Sequence, residues 1–279
     1  TFMKKIVFGI SLIVLIISLC IIKYIHHQPA ITYFPPANPE DASFIEANTS
    51  MHVHQNNFIT QSTSKSNMPL FLRQDVSLTF RNGKLISLQH KWKEQAKDIQ
   101  LKEEIPLTDN GLYEAVTFHY GELHQTNNDI KSIQNMTNNW LYVYKNNRSI
   151  LTFKDVLSTK EKHLKKQFDD ALTEELQQQL NTLSHHFDIN LDHYTAMPLT
   201  ELTKYHSEPL PKMTQPETNK IIGQLWEGVY KNYAIPILKQ DKQRKSTVPF
   251  ILFSKQADHL LVLFNINGEF KLLKQTYSR

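Results

Sequence analysis

Cysteine and glycine are both scarce in this sequence. The 279 residues include one cysteine, Cys20, and seven glycines. A single cysteine excludes an intramolecular disulfide and any metal site that needs two or more cysteines of one chain. Because Cys20 lies within the apolar N-terminal run, sortase-type transpeptidation and thiol–disulfide exchange are excluded as well. The small number of glycines argues against glycine-rich phosphate-binding loops.

Sequence motifs of the common enzyme classes are also absent. The chain contains no Walker A motif, no G-x-G-x-x-G, no G-x-S-x-G and no H-E-x-x-H. Ser62 and Lys65 match S-x-x-K, but the K-T-G and S-D-N elements that accompany it in penicillin-binding proteins are missing. The sequence therefore predicts no catalytic residue and no cofactor.

The charge of the chain does not favour nucleic-acid binding. The formal net charge is +4, from 31 Lys and Arg against 27 Asp and Glu. Three positive charges, Lys4, Lys5 and Lys23, flank the apolar N-terminal run, so the rest of the chain carries 28 − 27 = +1. The densest basic stretch, 239–245, contains Asp241 and no aromatic residue. Nucleic-acid affinity needs a concentrated basic face, and we expect no nucleic-acid partner.

Long hydrophobic runs are limited to one segment at the N-terminus. Residues 6–22 contain no charged side chain. A helix of this length spans about 25 Å at ~1.5 Å per residue, and flanking apolar residues extend it towards the ~30 Å of a bilayer core. No small-residue cleavage site follows the run, and Leu19 precedes Cys20 where a lipoprotein signal needs a small residue. We therefore predict a transmembrane helix over 6–25, with a cleaved signal peptide and a lipid anchor as alternatives.

The distribution of lysine predicts the orientation of this helix. Lys4 and Lys5 precede the run, and after Lys23 the next Lys or Arg is Lys65. Positive residues stay in the cytoplasm, so residues 1–5 are predicted to be a cytoplasmic tail and the rest extracytoplasmic. Lysine far outnumbers arginine, which is typical of AT-rich genomes and favours a low-GC Gram-positive envelope.

Proline, asparagine and serine dominate the next segment, and β patterns follow it. We predict a linker over 26–68, where no hydrophobic period is sustained. A β-rich half is predicted over 69–157. Asn82-Gly83 separates two alternating segments, which indicates a hairpin, and Asn146-Asn147 separates a second pair.

A change of hydrophobic period marks the second half, 158–279. Ser158 and Glu161 fit a capping box, and apolar residues then recur every three or four positions for about 28 residues. Two shorter helices and a C-terminal β-meander through Asn267-Gly268 are predicted to follow. The stripe of the long helix consists of Leu164, Phe168, Leu172, Leu176, Leu180, Leu183 and Phe187. We expect it to pack on a sheet, with a dimerising coiled coil as the alternative.

Together these segments predict an α+β fold. An N-terminal transmembrane helix precedes an exported domain of antiparallel β-hairpins and a meander. That domain is expected to pack against one long and one or two shorter amphipathic helices.

Histidine is frequent enough, with 13 residues, to warrant a search for metal sites. A zinc site needs three or four converging ligands. None of the local groups has a recognised spacing, so no metal site is predicted. These groups are His52 with His54; His119 and His124 around Glu122; and His185, His186 and His193 near Asp188 and Asp192.

Aromatic residues on the third predicted helix supply the candidate partner-binding surface. Trp226, Tyr230 and Tyr233 lie on one side of this helix by their spacing. Tryptophan and tyrosine dominate binding hot spots, so an exposed face of this kind would dock a partner. The alternative is that the three rings belong to the hydrophobic core.

In layout alone the chain resembles single-pass exported accessory proteins of Bacillus-type bacteria that regulate envelope sensor kinases. The resemblance implies a membrane-anchored extracytoplasmic binding or regulatory protein without catalytic activity. Its expected partner is another envelope or membrane protein, and homo-oligomerisation is left open. Two alternatives remain: an envelope hydrolase or metal-dependent enzyme with a site built from scattered residues, and a structural subunit of a secretion or sporulation assembly.

Overall fold

A computed structural model of the protein describes residues 31–126, 128–240 and 245–277. The predicted cytoplasmic tail 1–5 and transmembrane helix 6–25 lie outside these ranges. Within them, no helix combines the length and the apolar character needed to cross a bilayer.

Six antiparallel strands form the larger of two sheets. Their bounds are β1 Phe44–His54, β2 Asn57–Arg81, β3 Lys84–Pro106, β4 Gly111–His124, β5 Ile130–Lys145 and β6 Ile150–Phe153. The order is β1-β2-β4-β5-β6, and β3 also pairs with β2. The first half of β2 pairs with β1 and its second half with β4, while β3 follows β2 along both halves. β1 and β4 therefore share one edge of β2, end to end.

The long hairpin of β2 and β3 bends in its middle, and the sheet curls as a result. The register shifts between Lys65 and Leu70, and Gln95 on the facing strand has a φ of 48°. The curl brings β1 against β5, where Asn139 Nδ2 donates to the Thr49 carbonyl at 2.8 Å. One face of β4 and β5 is thereby turned inward towards β1, and we call it the inner face. The opposite, outer face is packed against helices.

Residues 44–68, predicted to be part of a linker, form β1 and the beginning of β2 instead. The prediction is wrong here because most of the buried positions are polar. Ser62, Ser64 and Ser66 alternate towards the interior of the curled sheet and are all buried. A strand whose inward side chains are hydroxyls has no hydrophobic period that a sequence can reveal.

The segment before β1 is also fixed to the fold, which the linker prediction did not anticipate. Ala37 N donates to the Ser132 carbonyl, and Ser132 N donates to the Pro35 carbonyl, both at 2.9 Å. Tyr33 N donates to a Glu227 carboxylate oxygen at 2.8 Å. Residues 32–37, which we call the tether, are thus attached to β5 and to a helix.

Four antiparallel strands form the second sheet. They are β7 Tyr194–Pro198, β8 Phe250–Ser254, β9 His259–Ile266 and β10 Glu269–Thr276, in the order β10-β9-β8-β7. The predicted meander and its Asn267-Gly268 hairpin are confirmed, with positive φ angles of 53° and 96° at the turn. Leu85 N donates to the Ser246 carbonyl at 2.9 Å, which joins the turn of the first long hairpin to the segment entering this sheet.

The long helix begins where the sequence predicts it, directly after Ser158. Helix α1 spans Thr159–His186, α2 spans Gln215–Val229 and α3 spans Ile235–Gln240. Ser158 caps α1 by accepting from Glu161 N, but the Glu161 carboxylate accepts from Leu157 N and so does not close the predicted box. Short 3₁₀ helices cover Leu191–His193 and Leu199–His206, and a π-helical turn, Tyr230–Ala234, links α2 to α3. The predicted α+β class is confirmed.

Helix α1 lies along both sheets. Leu164 is buried with Leu112 and Tyr142 of the first sheet, and the His186 ring lies 4.9 Å from that of Phe270 in β10. Between these ends, Leu176 contacts the β2–β3 turn at Gly83. The apolar stripe is thus used for packing within the chain, in agreement with the prediction that it packs on a sheet.

Candidate functional site

The outer face of β4 and β5 is covered by helices on either side of one cross-strand pair. Towards α2, Phe118 stacks on Trp226 with ring centroids 4.9 Å apart. Towards α1, the Tyr142 hydroxyl donates to Asp169 Oδ1 at 2.6 Å. Between these contacts Glu114 pairs with Trp140 in the register of the two strands. Residues paired in this way project from the same face, so this pair forms the floor of an open groove.

The groove, which we call the Glu114–Trp140 groove, has a volume of about 700 Å³ and a polar lining. The 3₁₀ helix Leu199–His206 forms one wall, and its Thr200 carbonyl accepts from Asn138 Nδ2 at 3.4 Å. The groove continues over the edge of β5, which β6 pairs only from Tyr142 onward, to Asn48 of β1. Other lining residues are Thr137, Asn139, Glu201, Thr203, Lys204 and His206.

Glu114 is a half-buried carboxyl group without a counter-charge. Burial is the main cause that raises its pKa to about 6, and the negative charge of Glu201 adds to the rise. The Thr200 hydroxyl acts in the opposite direction. Among the described residues, no lysine, arginine or histidine forms an ion pair with this carboxyl. At neutral pH the groove therefore holds an ionised carboxylate that is poorly compensated.

Trp140 is the exposed aromatic residue of the groove, with 47% of its surface accessible. The Lys154 ammonium lies 5.7 Å from its ring centroid. Two further exposed apolar residues follow Lys154 closely in the chain: Val156 at 39% and Leu157 at 87%. Exposed tryptophan beside other accessible apolar side chains is characteristic of binding surfaces.

A separate polar network fills the inner face, beneath this part of the sheet. Asp75 Oδ2 accepts from Ser64 Oγ at 2.6 Å and lies 2.8 Å from His119 Nδ1. Arg73 pairs with Asp75 Oδ1 at 3.4 Å, and neither side chain is exposed. Burial lowers the pKa of Arg73, and the charge of Asp75 opposes this effect. The Lys97 carbonyl accepts from Arg73 Nη1 at 2.6 Å.

The network continues from His119 to hydroxyl groups of β5 and β1. His119 Nε2 lies 2.9 Å from Thr137 Oγ1, which is 2.6 Å from Thr49 Oγ1. The order carboxylate, imidazole, hydroxyl is that of a hydrolytic triad. Here, however, Thr49 also binds the hydroxyl, and the histidine and aspartate are fully buried. The network therefore links β1, β2, β4 and β5 and stabilises the curl of the sheet.

The histidines considered as metal ligands do not converge. His119 belongs to the buried network, whereas His124 stacks on Phe71 with ring centroids 3.7 Å apart and pairs with Glu122 at 3.1 Å. Over the described ranges, no three side chains of histidine, cysteine, aspartate or glutamate form a group that could hold a metal ion.

The three aromatic residues predicted to bind a partner lie in the core. Trp226, Tyr230 and Tyr233 are all buried. The Tyr230 hydroxyl accepts from Gln74 Nε2 at 2.6 Å, and that of Tyr233 donates to the Thr247 carbonyl at 2.7 Å. Rings that are enclosed and hydrogen-bonded in this way stabilise the packing of α2 on the sheets. They present no docking face in the described structure.

Sequence reasoning did not identify Glu114 or Trp140 as site residues. They are 26 positions apart by their numbers and become neighbours only through the register of β4 and β5. The Trp140 position alternates like any outward position of a strand, so the sequence holds no signal that this ring stays exposed. Comparison with protein-family models gives no match for this chain, and a search of curated proteins gives none either.

Proposed function

We propose that this chain is a single-pass, membrane-anchored extracytoplasmic protein of a bacterial envelope that binds and regulates another envelope or membrane protein by contact. The anchor is supported by the uncharged run 6–22 and by the lysines on its N-terminal side. The observation that carries the binding function is the Glu114–Trp140 groove. It combines an exposed indole with an uncompensated carboxylate on a sheet face that helices otherwise cover.

The composition of the groove supports binding more than catalysis. Its polar groups are mainly amides and hydroxyls, among them Asn48, Asn138 and Thr203, which orient a ligand by hydrogen bonds. Its charged groups, apart from Glu114, lie on the 3₁₀ helix, where Lys204 is 3.9 Å from Glu201. The buried imidazole and hydroxyl network belongs to the other face of the sheet.

Site-specific photo-crosslinking of the full-length protein in native membranes tests this proposal. A photoreactive residue at Thr203 should capture one membrane or envelope protein, identified by mass spectrometry. The matched control places the same residue at Lys102, an exposed position on β3. If both positions give the same products, or if Thr203 gives none, the groove is not a partner-binding surface. Recovery of the chain itself from Thr203 alone would make a second copy the partner.

An envelope hydrolase remains a second candidate because of one observation. Glu114, with a pKa raised to about 6, lies near a second carboxylate, Glu201, which contributes to that rise. Such a pair is the arrangement that glycoside hydrolysis uses, with one group as acid and the other as base or nucleophile. The protein would then release new reducing ends from purified cell-wall glycan, and both Glu114→Gln and Glu201→Gln would abolish the release. Absence of any release by the wild-type protein eliminates this candidate.

A further inference from the structure

We infer that the Glu114–Trp140 groove receives one basic side chain, lysine or arginine, that the partner protein presents beside apolar residues. This inference rests on the proposed function and specifies what the partner must offer. It follows from the juxtaposition of a carboxylate without a counter-charge and an exposed indole in one groove. A carboxylate pairs with an ammonium or guanidinium group, and the face of tryptophan attracts the same cations.

The positive charges around the groove have other contacts already. Lys204 lies 3.9 Å from Glu201 and 5.3 Å from the Tyr205 ring centroid. On α1, Lys165 is paired with Asp169 at 2.5 Å. The cations from these elements therefore do not neutralise Glu114.

The remaining charged groups near the groove come from the end of β6 and from the 3₁₀ helix. Lys154 lies beside the indole at 5.7 Å from its centroid, and His206 lines the wall. An incoming cation would thus meet Lys154 at the ring, the half-buried Glu114 on the floor and the exposed Glu201 on the wall. Glu114 is the group that gains an ion pair on binding.

The apolar surroundings indicate what flanks the basic residue. Val156 and Leu157 are exposed in the segment that follows Lys154, which itself contacts the Trp140 ring. Apolar side chains next to the basic residue of the partner would cover the exposed part of the Trp140 ring and remove water from the ion pair. Water exclusion strengthens a charge pair because it lowers the local dielectric constant.

The test uses two short peptides and the full-length protein in nanodiscs. Acetyl-Leu-Arg-Leu-amide is compared by calorimetry with its citrulline counterpart, which has nearly the same shape but no charge. At pH 7.5 we expect the arginine peptide to bind about tenfold more tightly or better. A hydrogen bond between charged groups lowers the dissociation constant by about that factor. Glu114→Gln should remove this preference, and the control Glu174→Gln, on the exposed face of α1, should retain it.

Acidification gives an independent readout. Because the pKa of Glu114 is about 6, its ionised fraction falls from about 0.97 at pH 7.5 to about 0.09 at pH 5. Affinity for the arginine peptide should fall about tenfold over this range, and the citrulline peptide should show no such change.

Equal binding of the two peptides, no binding of either, or a preference that survives Glu114→Gln would overturn the inference. The crosslinking at Thr203 is judged separately. A groove that captures a partner but does not distinguish the peptides keeps the proposed function and loses the basic-residue specificity. A groove that binds the arginine peptide but captures no protein keeps the basic-residue specificity and loses the proposed function.

Discussion

At the residue scale, Glu114 illustrates how a binding group can weaken the fold that carries it. Its pKa is raised from 4.5 in the unfolded reference to about 6, chiefly by burial. Between these values the folded protein binds more protons than the unfolded chain, so stability falls as pH rises through this window. Above pH 6 the folded state holds a carboxylate that would be better solvated in water.

Replacement of this carboxylate by an amide should therefore stabilise the protein at neutral pH. A shift from 4.5 to about 6 corresponds to at most about 2 kcal/mol, since one pKa unit is ~1.4 kcal/mol. We expect Glu114→Gln to raise the melting temperature at pH 7.5 and to leave it nearly unchanged at pH 4, as measured by circular dichroism. Equal effects at both pH values would contradict the assignment of the raised pKa.

For the buried pair of Arg73 and Asp75 we expect the opposite effect: removal of the carboxylate should destabilise the protein. Asp75→Asn leaves a guanidinium enclosed without its anion, which should cost about 3–5 kcal/mol in urea unfolding. The double variant Arg73→Met/Asp75→Asn should be less destabilised than the single one, because no unpaired charge remains. If the double variant is the less stable of the two, the pair does not contribute in this way.

At the scale of elements, the β2–β3 turn connects the first sheet to α1. Gly83 has a φ of +73°, and a Cβ placed there would lie 3.0 Å from Leu176 Cδ2. Gly268, in the β9–β10 turn, has a φ of +96°, and a Cβ there would meet nothing within 4 Å. A substitution at Gly268 would therefore introduce backbone strain alone, whereas one at Gly83 would add crowding against α1.

Alanine at the two positions should accordingly have different effects. Both substitutions place an L-residue in the left-handed region, which costs roughly 1–2 kcal/mol. Gly83→Ala should be the more destabilising because it also pushes on Leu176. Denaturant unfolding of both variants, and of Gly83→Ala combined with Leu176→Ala, measures the difference. If the combination with Leu176→Ala recovers none of the extra loss, crowding is not its cause.

The sequence predicts the elements whose signals are local. Asn-Gly turns, with their need for positive φ, indicate the β2–β3 and β9–β10 hairpins, and Ser158 with the apolar stripe indicates α1. The start of β2 escapes prediction because serines occupy three successive inward positions, Ser62, Ser64 and Ser66. The groove escapes it because strand register, a long-range property, creates the pairing of Glu114 with Trp140.

At the scale of the whole molecule, the described residues from Ile31 onward belong to one compact unit. Helix α1 contacts both sheets, and the segment around Ser246 is hydrogen-bonded to the first hairpin. We expect this unit to move and unfold cooperatively, so a ligand in the groove would stabilise residues far from it.

The proposed orientation in the membrane has a direct test. Alkaline phosphatase, which is active only after export, is fused after Tyr277 of the full chain. We expect high activity of this fusion in an intact bacterium. Reversal of the lysine asymmetry, by Lys4→Asn and Lys5→Asn with added lysines after residue 25, should lower it. High activity that ignores this change would argue against an anchor oriented by charge.

The tether has a mechanical consequence. Any force that reaches the folded unit through Ile31 acts first on residues 32–37, which are fastened to Ser132 of β5 and to Glu227 of α2. The load is therefore passed to β5 and to a helix before it can peel β1 away from β2. Because β4 and β5 also carry the Glu114–Trp140 groove, tension on the tether and occupancy of the groove act on the same pair of strands. A force on residues 32–37 therefore acts on β5, the strand that carries Trp140 of the groove.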